Sequence, residues 1–311
     1  MPDAIETDAI SRRFGNQQAV DAVSMTVPAQ SVYGFLGRNG AGKTTTLKML
    51  LGLLRADSGS ARVAGIDVAT DRLAAARKIG ALLEAQGFYR YLSGRDNLEI
   101  TRRLLGCPAS ETARVLAVTD MTAHARRRVA DYSLGMCQRL GLARVMLGAP
   151  AILILDEPTN GLDPEGIASV RTLLRELPDR TGVTMLVSSH LLGEVEQVAT
   201  HVGILNHGRL VQEGDLASLR AGLATEIRCE TDDPARAAQV AAAHGFTVKQ
   251  DDEVVVAVLA PGEAPRPAAA ALNRALCLAG LGVHHLAPRT RSLQHLYQQA
   301  SAAGATDLET R

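Results

Sequence analysis

Residues 33–49 constrain the fold of this chain more than any other stretch. They read YGFLGRNGAGKTTTLKM. The apolar run Val32 to Leu36 predicts a buried strand, and helical spacing begins at Thr44 after a glycine-rich interruption. Every fixed position of the pattern G-x-x-x-x-G-K-[ST] is filled, by Gly37, Gly42, Lys43 and Thr44. The stretch therefore predicts a strand, a phosphate-binding loop and a helix.

The residue types of this loop suit a bound nucleotide. Glycines at 37, 40 and 42 permit backbone conformations closed to residues with a Cβ, so successive N–H groups can turn inward around phosphate oxygens. Lys43 would reach the β- and γ-phosphates of ATP, and the Thr44 hydroxyl would be a ligand for Mg²⁺. The alternative, a helix that starts after a flexible turn, is disfavoured by the complete motif. We expect nucleotide binding through Gly37, Asn39, Gly40, Ala41, Gly42, Lys43, Thr44 and Thr45.

A second motif ends in two adjacent carboxylates. Residues 151–155, AILIL, predict a buried strand that leads into Asp156 and Glu157. A carboxylate at the end of a parallel strand, beside a phosphate loop, is where such ATPases hold a second Mg²⁺ ligand. Asp156 fits that role. Glu157 would point in a different direction, so it is the better candidate for polarising the attacking water.

Five further residues stay ambiguous on local grounds. Phe14 could stack on adenine, although an isolated phenylalanine usually lies in a core. Ser133 and Gly135 precede a helical pattern, where they could bind an anion or serve as an ordinary helix cap. His190 follows a predicted strand and could bond a γ-phosphate or be structural. Asp163 lies in the turn NGLDP, which fixes its position.

Composition sets broad limits on partners. The 311 residues suffice for one large or two ordinary domains. Lys plus Arg and Asp plus Glu both total 33, so no overall field indicates nucleic acid or an acidic membrane surface. The run Arg126 to Arg128 is interpreted as a solvated face rather than a binding patch.

The cysteines and the apolar segments exclude other classes. Four widely spaced cysteines without a CxxC pair disfavour both a metal site and a disulfide framework, and favour a reducing compartment. The first ten residues contain acids and no apolar core, so we expect no secretory signal there. Because no stretch of about 20 residues is free of charge or strong polarity, we expect no membrane span.

The chain divides into two predicted domains. Residues 1–222 alternate strands and helices, and they begin with two antiparallel segments, Ala4 to Ser11 and Val20 to Val27. Residues 223–311 read as βαββαβ, the order of a small ferredoxin-like α+β unit, followed by a last helix at 292–300.

The order of the motifs resembles the ATP-binding subunit of ABC transporters over residues 5 to about 220. The series is GRNGAGKTT, EAQGFY, YSLGM, ILILDEP, GLD and SSH. The resemblance implies an α/β fold, with a P-loop NTPase core of ABC type, an antiparallel β subdomain and a helical subdomain. It implies an ATPase with ATP and Mg²⁺ as cofactors. Catalysis would rest on Glu157, His190 and Lys43.

The resemblance also resolves the ambiguous residues. Phe14 falls at the adenine-stacking position, His190 at the switch histidine, and Asp163 beside the nucleotide. Ser133 and Gly135 fall in the signature motif, which in the family binds the γ-phosphate held by the opposite subunit. The chain would then form a head-to-tail homodimer around two ATP molecules.

Two positions depart from the family pattern. The usual signature LSGGQ is YSLGM here, which keeps the serine and the second glycine. The loop glutamine of the family aligns with Glu84, a carboxylate that could approach Mg²⁺ through water but adds charge near the phosphates. Together with GFYRYLSGRDNL, both departures resemble the exporter ATPases associated with ABC-2-type permeases, which include antibiotic and bacteriocin resistance proteins. The motif SLQHLY at 292–297 is similar to a terminal helix of that branch.

That branch implies a separately encoded transmembrane permease as partner, no nucleic acid, and a cytoplasmic protein peripheral to the inner face of the cell membrane. A non-transport ABC ATPase acting on ribosomes or DNA is the alternative, disfavoured by the single motif set and the absence of a basic surplus. A third hypothesis makes residues 224–311 a ligand-sensing or dimerising module, although they offer no chemical constellation.

Overall fold

The computed structural model describes residues 3–83, 87–221, 225–251, 254–260 and 263–290. A division between Leu216 and Ala217 separates two compact units. The predicted domain boundary at residue 222 and the predicted terminal helix at 292–300 lie outside the described residues.

The first unit contains two sheets and the helices between them. Its strands are β1 (Ile5–Phe14), β2 (Gln17–Val27), β3 (Val32–Leu36), β4 (Ser58–Val63), β5 (Ile66–Asp67), β6 (Ile79–Leu82), β7 (Ile152–Asp156), β8 (Thr184–Ser189), β9 (His201–Asn206) and β10 (Arg209–Asp215). Its helices are α1 (Lys43–Leu50), α2 (Arg72–Ala76), α3 (Gly94–Leu104), α4 (Ser110–Val118), α5 (Leu134–Val145), α6 (Pro164–Thr181) and α7 (Leu192–Val195), and α8 (Leu216–Ala221) begins at the division.

The central sheet has the strand order β10-β9-β3-β8-β7-β6. Strands β9, β3, β8, β7 and β6 run parallel to one another, and β10 pairs antiparallel with β9. Strand β8 lies between β3 and β7, so Leu36 pairs with Ser189 while Asp156 pairs with Ser188. The loop after β3 and the carboxylates after β7 therefore meet at one edge of the sheet.

The continuous apolar run of β7 is explained by burial on both faces of the sheet. Ile152 and Ile154 pack in the core between the central sheet and the smaller antiparallel sheet, whose order is β2-β1-β4-β5. Leu153 and Leu155 pack on the other face, in the core shared with the helical residues. Side chains alternate along a strand, so a strand covered on both faces is apolar at every position.

One carboxylate ties the two sheets together. Glu213 on β10 accepts a hydrogen bond of 2.6 Å from the Tyr33 hydroxyl on β3, and one of 2.9 Å from the Thr26 amide on β2. Burial raises the pKa of Tyr33 well above its usual value, and the neighbouring Glu213 carboxylate raises it further. The tyrosine is therefore held neutral and serves as the hydrogen-bond donor to Glu213.

Helix starts in this unit are capped where the sequence places short polar residues. The Ser93 hydroxyl accepts from the Asp96 amide at the start of α3, and Asp163 accepts from the Gly166 amide at the start of α6. Helix α6 extends to Thr181 and contains Pro178 within its last turns. The predicted helix after the phosphate loop is α1, which ends at Leu50.

The second unit is a four-stranded antiparallel sheet with two helices. Its elements are β11 (Thr225–Thr231), α9 (Pro234–Ala243), β12 (Thr247–Asp251), β13 (Val254–Val258), α10 (Pro265–Leu278) and β14 (Val283–Thr290). The strand order β12-β13-β11-β14 is the ferredoxin-like arrangement that the βαββαβ pattern predicts. Cys229 is buried in its core, and burial raises the pKa of this thiol to about 11, so it is a poor nucleophile.

All four cysteines are free thiols. Within the described ranges, no helix is both long and apolar enough to cross a membrane.

Candidate nucleotide-binding site

The phosphate loop joins β3 to α1 and contains two glycines with positive φ. Gly40 has φ +82° and Gly42 has φ +106°, values in the left-handed region where a Cβ is unfavourable. For Gly37 the prediction of a backbone conformation closed to other residues is wrong, because its φ is not positive. A Cβ there would lie 2.7 Å from the Leu205 carbonyl oxygen, so glycine is required by close approach to β9.

Lys43 lies across the loop rather than out in solvent. Its Nζ donates to the Gly37 carbonyl at 2.6 Å and approaches the Arg38 carbonyl at 3.4 Å. The same Nζ is 3.3 Å from Glu157 Oε1, and the side chain is only 6% exposed. The lysine charge is thus held between the loop and the catalytic carboxylate predicted from the sequence.

Thr44 and Asp156 come together as the sequence predicts for a magnesium site. The Thr44 hydroxyl donates to Asp156 Oδ2 at 2.7 Å. Within the described residues, no group of three or more His, Cys, Asp and Glu side chains could hold a metal. Two hard oxygens from the protein fit Mg²⁺, since this ion usually takes its other ligands from phosphates and water.

Glu157 lies where three functional side chains converge. Its backbone has φ +49°, which is uncommon for a residue other than glycine. One carboxylate oxygen faces Lys43, and the other is 2.6 Å from His190 Nδ1. His190 follows β8 directly, and this explains why the end of that strand brings it beside the end of β7.

Ser188 is a site residue that sequence reasoning missed. Its hydroxyl donates to Asp156 Oδ1. The Ser188 hydroxyl oxygen also accepts from the Glu157 amide at 3.0 Å. Both carboxylate residues are therefore fixed by one buried hydroxyl. The register of two neighbouring strands creates this contact, and the only sequence signal is that Ser188 is the first residue of the SSH motif.

Phe14 lies at the end of β1 and is 48% exposed. Its ring is not part of the core, which was the alternative considered from the sequence. The Arg12 guanidinium carbon lies 5.1 Å from the ring centroid and is itself paired with Asp57. The exposed aromatic ring remains available for stacking on a base.

Ser133, Gly135 and Asp163 lie at two neighbouring helix starts. The exposed Ser133 caps α5 and accepts from the Met136 amide at 3.2 Å. A Cβ at Gly135 would lie 3.7 Å from the Gly166 Cα, so the starts of α5 and α6 are adjacent. No hydrogen bond in the described part of the chain joins either residue of the YSLGM motif to Lys43 or Thr44. Glu84 lies outside the described residues.

A cavity of about 720 Å³ opens beside the carboxylates. Its described lining includes Asp156 and Glu157 on one side and Tyr132, Cys137 and Gln138 on the other. Burial raises the pKa of the Cys137 thiol. The cavity belongs to the same site, because two of its lining residues are the predicted metal ligand and base.

A phosphate loop, a strand-end carboxylate pair and a histidine on a parallel sheet define a P-loop ATPase. The family model described as ABC transporter matches residues 20–160. Bacitracin transport ATP-binding protein BcrA of Bacillus licheniformis is 42% identical over 214 residues, which cover 68% of this chain and 70% of that protein. The uncharacterized ABC transporter ATP-binding protein YdbJ of Bacillus subtilis is 33% identical and aligned over 96% of both chains.

Solved structures share the fold. The structure of cbiO1 from Clostridium perfringens, part of the ABC transporter complex cbiONQ, superposes with a TM-score of 0.66 at 22% identity, over 71% of this chain and 92% of that one. The identity with BcrA and YdbJ shows that the chain belongs to the ATP-binding proteins of ABC transporters, an ATP-binding and ATP-hydrolysing family.

Proposed function

We propose that this chain is the energy-transducing subunit of an ABC exporter, which hydrolyses Mg·ATP in a head-to-tail homodimer and drives a separate permease. The observation that carries the proposal is the position of Glu157, between Lys43 and His190 and beside the pair Thr44 and Asp156. Related proteins named for bacitracin, lantibiotic and daunorubicin/doxorubicin transport or resistance support the exporter assignment.

The residues divide the work of phosphoryl transfer. The loop amides and Lys43 hold the β- and γ-phosphates, and Thr44 and Asp156 would hold Mg²⁺, which neutralises phosphate charge. One carboxylate oxygen of Glu157 accepts a hydrogen bond from the attacking water and polarises it. His190 orients this carboxylate and the γ-phosphate. Phe14 stacks on the adenine.

The second half of each site comes from the other chain. Ser133 is exposed and Gly135 half-buried at the start of α5, and no described hydrogen bond joins them to Lys43 or Thr44 of their own chain. A helix start with free N–H groups binds phosphate well. In a head-to-tail pair, Ser133 and Gly135 of one copy would contact the γ-phosphate held by the other. Asp163 lies beside them and would join the same interface. The two chains would close on ATP, and this movement would change the conformation of the permease.

The location follows from this partner. We infer a cytoplasmic subunit, peripheral at the inner face of the membrane, which binds no nucleic acid. The permease would select the transported molecule, so this chain does not identify that molecule.

Replacing Glu157 by Gln tests the proposal. The amide keeps the shape of the side chain but accepts a proton poorly, so we expect hydrolysis to fall by about 10³-fold or more while ATP still binds. Size-exclusion chromatography with Mg·ATP should show a stable dimer of the variant and a monomer without nucleotide. Hydrolysis at the wild-type rate, or no ATP-dependent dimer, would contradict the assignment.

A further inference from the structure

The aromatic residue Phe14 lies at an irregular end of its strand. The pairing of β1 with β2 shifts register between Ile10 and Arg12, and again between Arg12 and Arg13, so the last residues of β1 depart from a regular ladder. Phe14 is also 48% exposed, so packing holds only part of its ring. Other contacts must therefore fix the direction in which this ring points.

Arg12 supplies one of these contacts. Its guanidinium carbon lies over the Phe14 ring, 5.1 Å from the ring centroid, which is within the range of a cation–π contact. The planar guanidinium group is well suited to stack on an aromatic face. One face of the ring is thereby covered, and the opposite face is left for a base.

Asp57 holds both residues that precede Phe14. Its Oδ1 pairs with Arg12 Nη1 at 2.6 Å, and its Oδ2 accepts from the Arg13 amide at 2.8 Å. Arg12 Nη1 also donates to the Arg55 carbonyl at 3.1 Å. The arginine over the ring and the backbone next to the ring are thus fixed by one carboxylate.

The segment that carries Asp57 begins at the phosphate-binding helix. Helix α1 starts at Lys43. The amides of Leu53 and Leu54 both donate to the Lys48 carbonyl near the end of this helix, at 2.9 and 3.1 Å. Asp57 follows shortly afterwards in the chain. The end of β1 is therefore connected through Asp57 to the helix whose first residue is the lysine of the phosphate loop.

We infer that Arg12 and Asp57 are positioning residues for the nucleotide base. They hold the Phe14 ring at a fixed place relative to the phosphate loop, so that one nucleotide engages both at once. The inference rests on the proposed function, in which Phe14 stacks on the adenine. Arg12 acts through the ring, and Asp57 acts through Arg12 and the Arg13 amide. A ring that is held in place before binding loses less freedom when the base arrives, so ATP binds more tightly.

A purely structural role for this ion pair is the alternative. The side chains of Arg12 and Asp57 are 26% and 45% exposed, and ion pairs so exposed contribute little to folding stability. A structural role predicts that every ligand of the phosphate loop binds more weakly when the pair is removed. The inference predicts a loss of affinity only for ligands that carry a base.

Binding of ATP and of inorganic tripolyphosphate to the full chain separates these roles, because tripolyphosphate has no base. Both Kd values are measured by isothermal titration calorimetry without Mg²⁺, so that ATP is not hydrolysed. We expect Arg12→Ala and Asp57→Ala each to weaken ATP binding about fivefold, with an unchanged Kd for tripolyphosphate. Phe14→Ala should weaken ATP binding about tenfold, the usual effect of losing a stacked base.

A double variant shows whether Arg12 acts through the ring. Phe14→Ala/Arg12→Ala should bind ATP no more weakly than Phe14→Ala alone, because the ring that Arg12 holds is already absent. Additive losses would show that Arg12 contributes independently of the ring, and this result would overturn the inference.

The matched control is Arg180→Ala. Arg180 also lies near an aspartate and a backbone carbonyl, with Nη2 at 3.6 Å from Asp120 Oδ1 and at 3.5 Å from the Ala117 oxygen. This variant should bind ATP like the wild type. Equal losses of ATP affinity in Arg12→Ala and Arg180→Ala, or a parallel loss for tripolyphosphate, would contradict the inference.

The two proposals fail in different ways. If Phe14→Ala weakens ATP binding while Arg12→Ala and Asp57→Ala bind ATP normally, the inference is wrong and the stacking role of Phe14 stands. If Phe14→Ala leaves the Kd for ATP unchanged, the stacking role of Phe14 and the inference are both wrong.

Discussion

Glu157 and Asp156 are neighbours in sequence but serve different partners. Asp156 ends β7 and bonds Thr44, whereas the left-handed backbone at Glu157 turns its side chain toward Lys43 and His190. Such a backbone costs on the order of 1–3 kcal/mol for a residue other than glycine, and surrounding contacts must offset it. The Ser188 hydroxyl and carbonyl, which both accept from the Glu157 amide, are among these contacts.

Ser188→Ala tests this support at the scale of one residue. Removal of the hydroxyl leaves Asp156 and the Glu157 amide each without one hydrogen bond, so both carboxylates lose their fixed positions. Loss of such a supporting contact typically costs about 10–100-fold in activity. We therefore expect kcat for ATP hydrolysis to fall in that range, with little change in the Kd for ATP measured by a fluorescent analogue.

Ser189→Ala is the control for that substitution. Ser189 is also buried, but its hydroxyl bonds only the backbone of Leu191 among the described residues. A similar loss of kcat in both variants would show that the Ser188 effect is general destabilisation.

Sequence reasoning found the charged members of the site because each lies within or next to a local pattern. Gly37 to Thr44 form a contiguous motif, and Asp156 with Glu157 ends an apolar strand. Sequence reasoning missed Ser188 because its role depends on strand register. That register brings Ser188 to Asp156, which lies 32 positions away in the chain. The reason for Gly37 was also hidden, since the approach of Leu205 is a tertiary contact.

At the scale of elements, a second hydrogen bond joins the segments that carry Glu157 and His190. The buried Thr159 hydroxyl, in the turn after β7, donates to Glu194 Oε2 on α7 at 2.5 Å. The turn continues to Asp163, and α7 begins just after His190. The bond therefore couples the catalytic turn and the histidine segment independently of the direct contact between Glu157 and His190.

Thr159→Val, Glu194→Ala and the double variant test this coupling. A hydrogen bond to a charged group contributes roughly 1.5–3 kcal/mol, so each single change should lower kcat about tenfold. The double variant should be no slower than either single variant, because both remove one shared interaction. Glu194→Gln should keep most activity, since its amide oxygen accepts the same bond. Additive losses measured in steady-state assays would argue against the coupling.

The element pattern was largely predictable because burial dictates it. The apolar strands and the βαββαβ order both follow from the periodicity of apolar residues. Helix ends are harder to predict, as Pro178 shows: it lies inside α6, where packing of Leu173, Leu174 and Leu177 outweighs its local effect.

At the scale of the whole molecule, one chain supplies only half of each ATP site in the proposed homodimer. The exposed Ser133 offers its hydroxyl proton to no described acceptor, although its oxygen caps α5. Sequence periodicity could not reveal that each ATP site is shared between two chains, because contacts between chains leave no local pattern. The order of the motifs suggested it through resemblance alone.

Ser133→Arg in the Glu157→Gln background tests the composite site. The Glu157→Gln chain should dimerise on Mg·ATP, and a long side chain at residue 133 would occupy the space that the partner's γ-phosphate needs. We expect ATP to bind with an unchanged Kd, while the ATP-dependent dimer disappears from size-exclusion chromatography. Ser110→Arg, at the exposed start of α4, provides the matched control and should leave the dimer intact. A dimer that survives Ser133→Arg would place this helix start outside the interface.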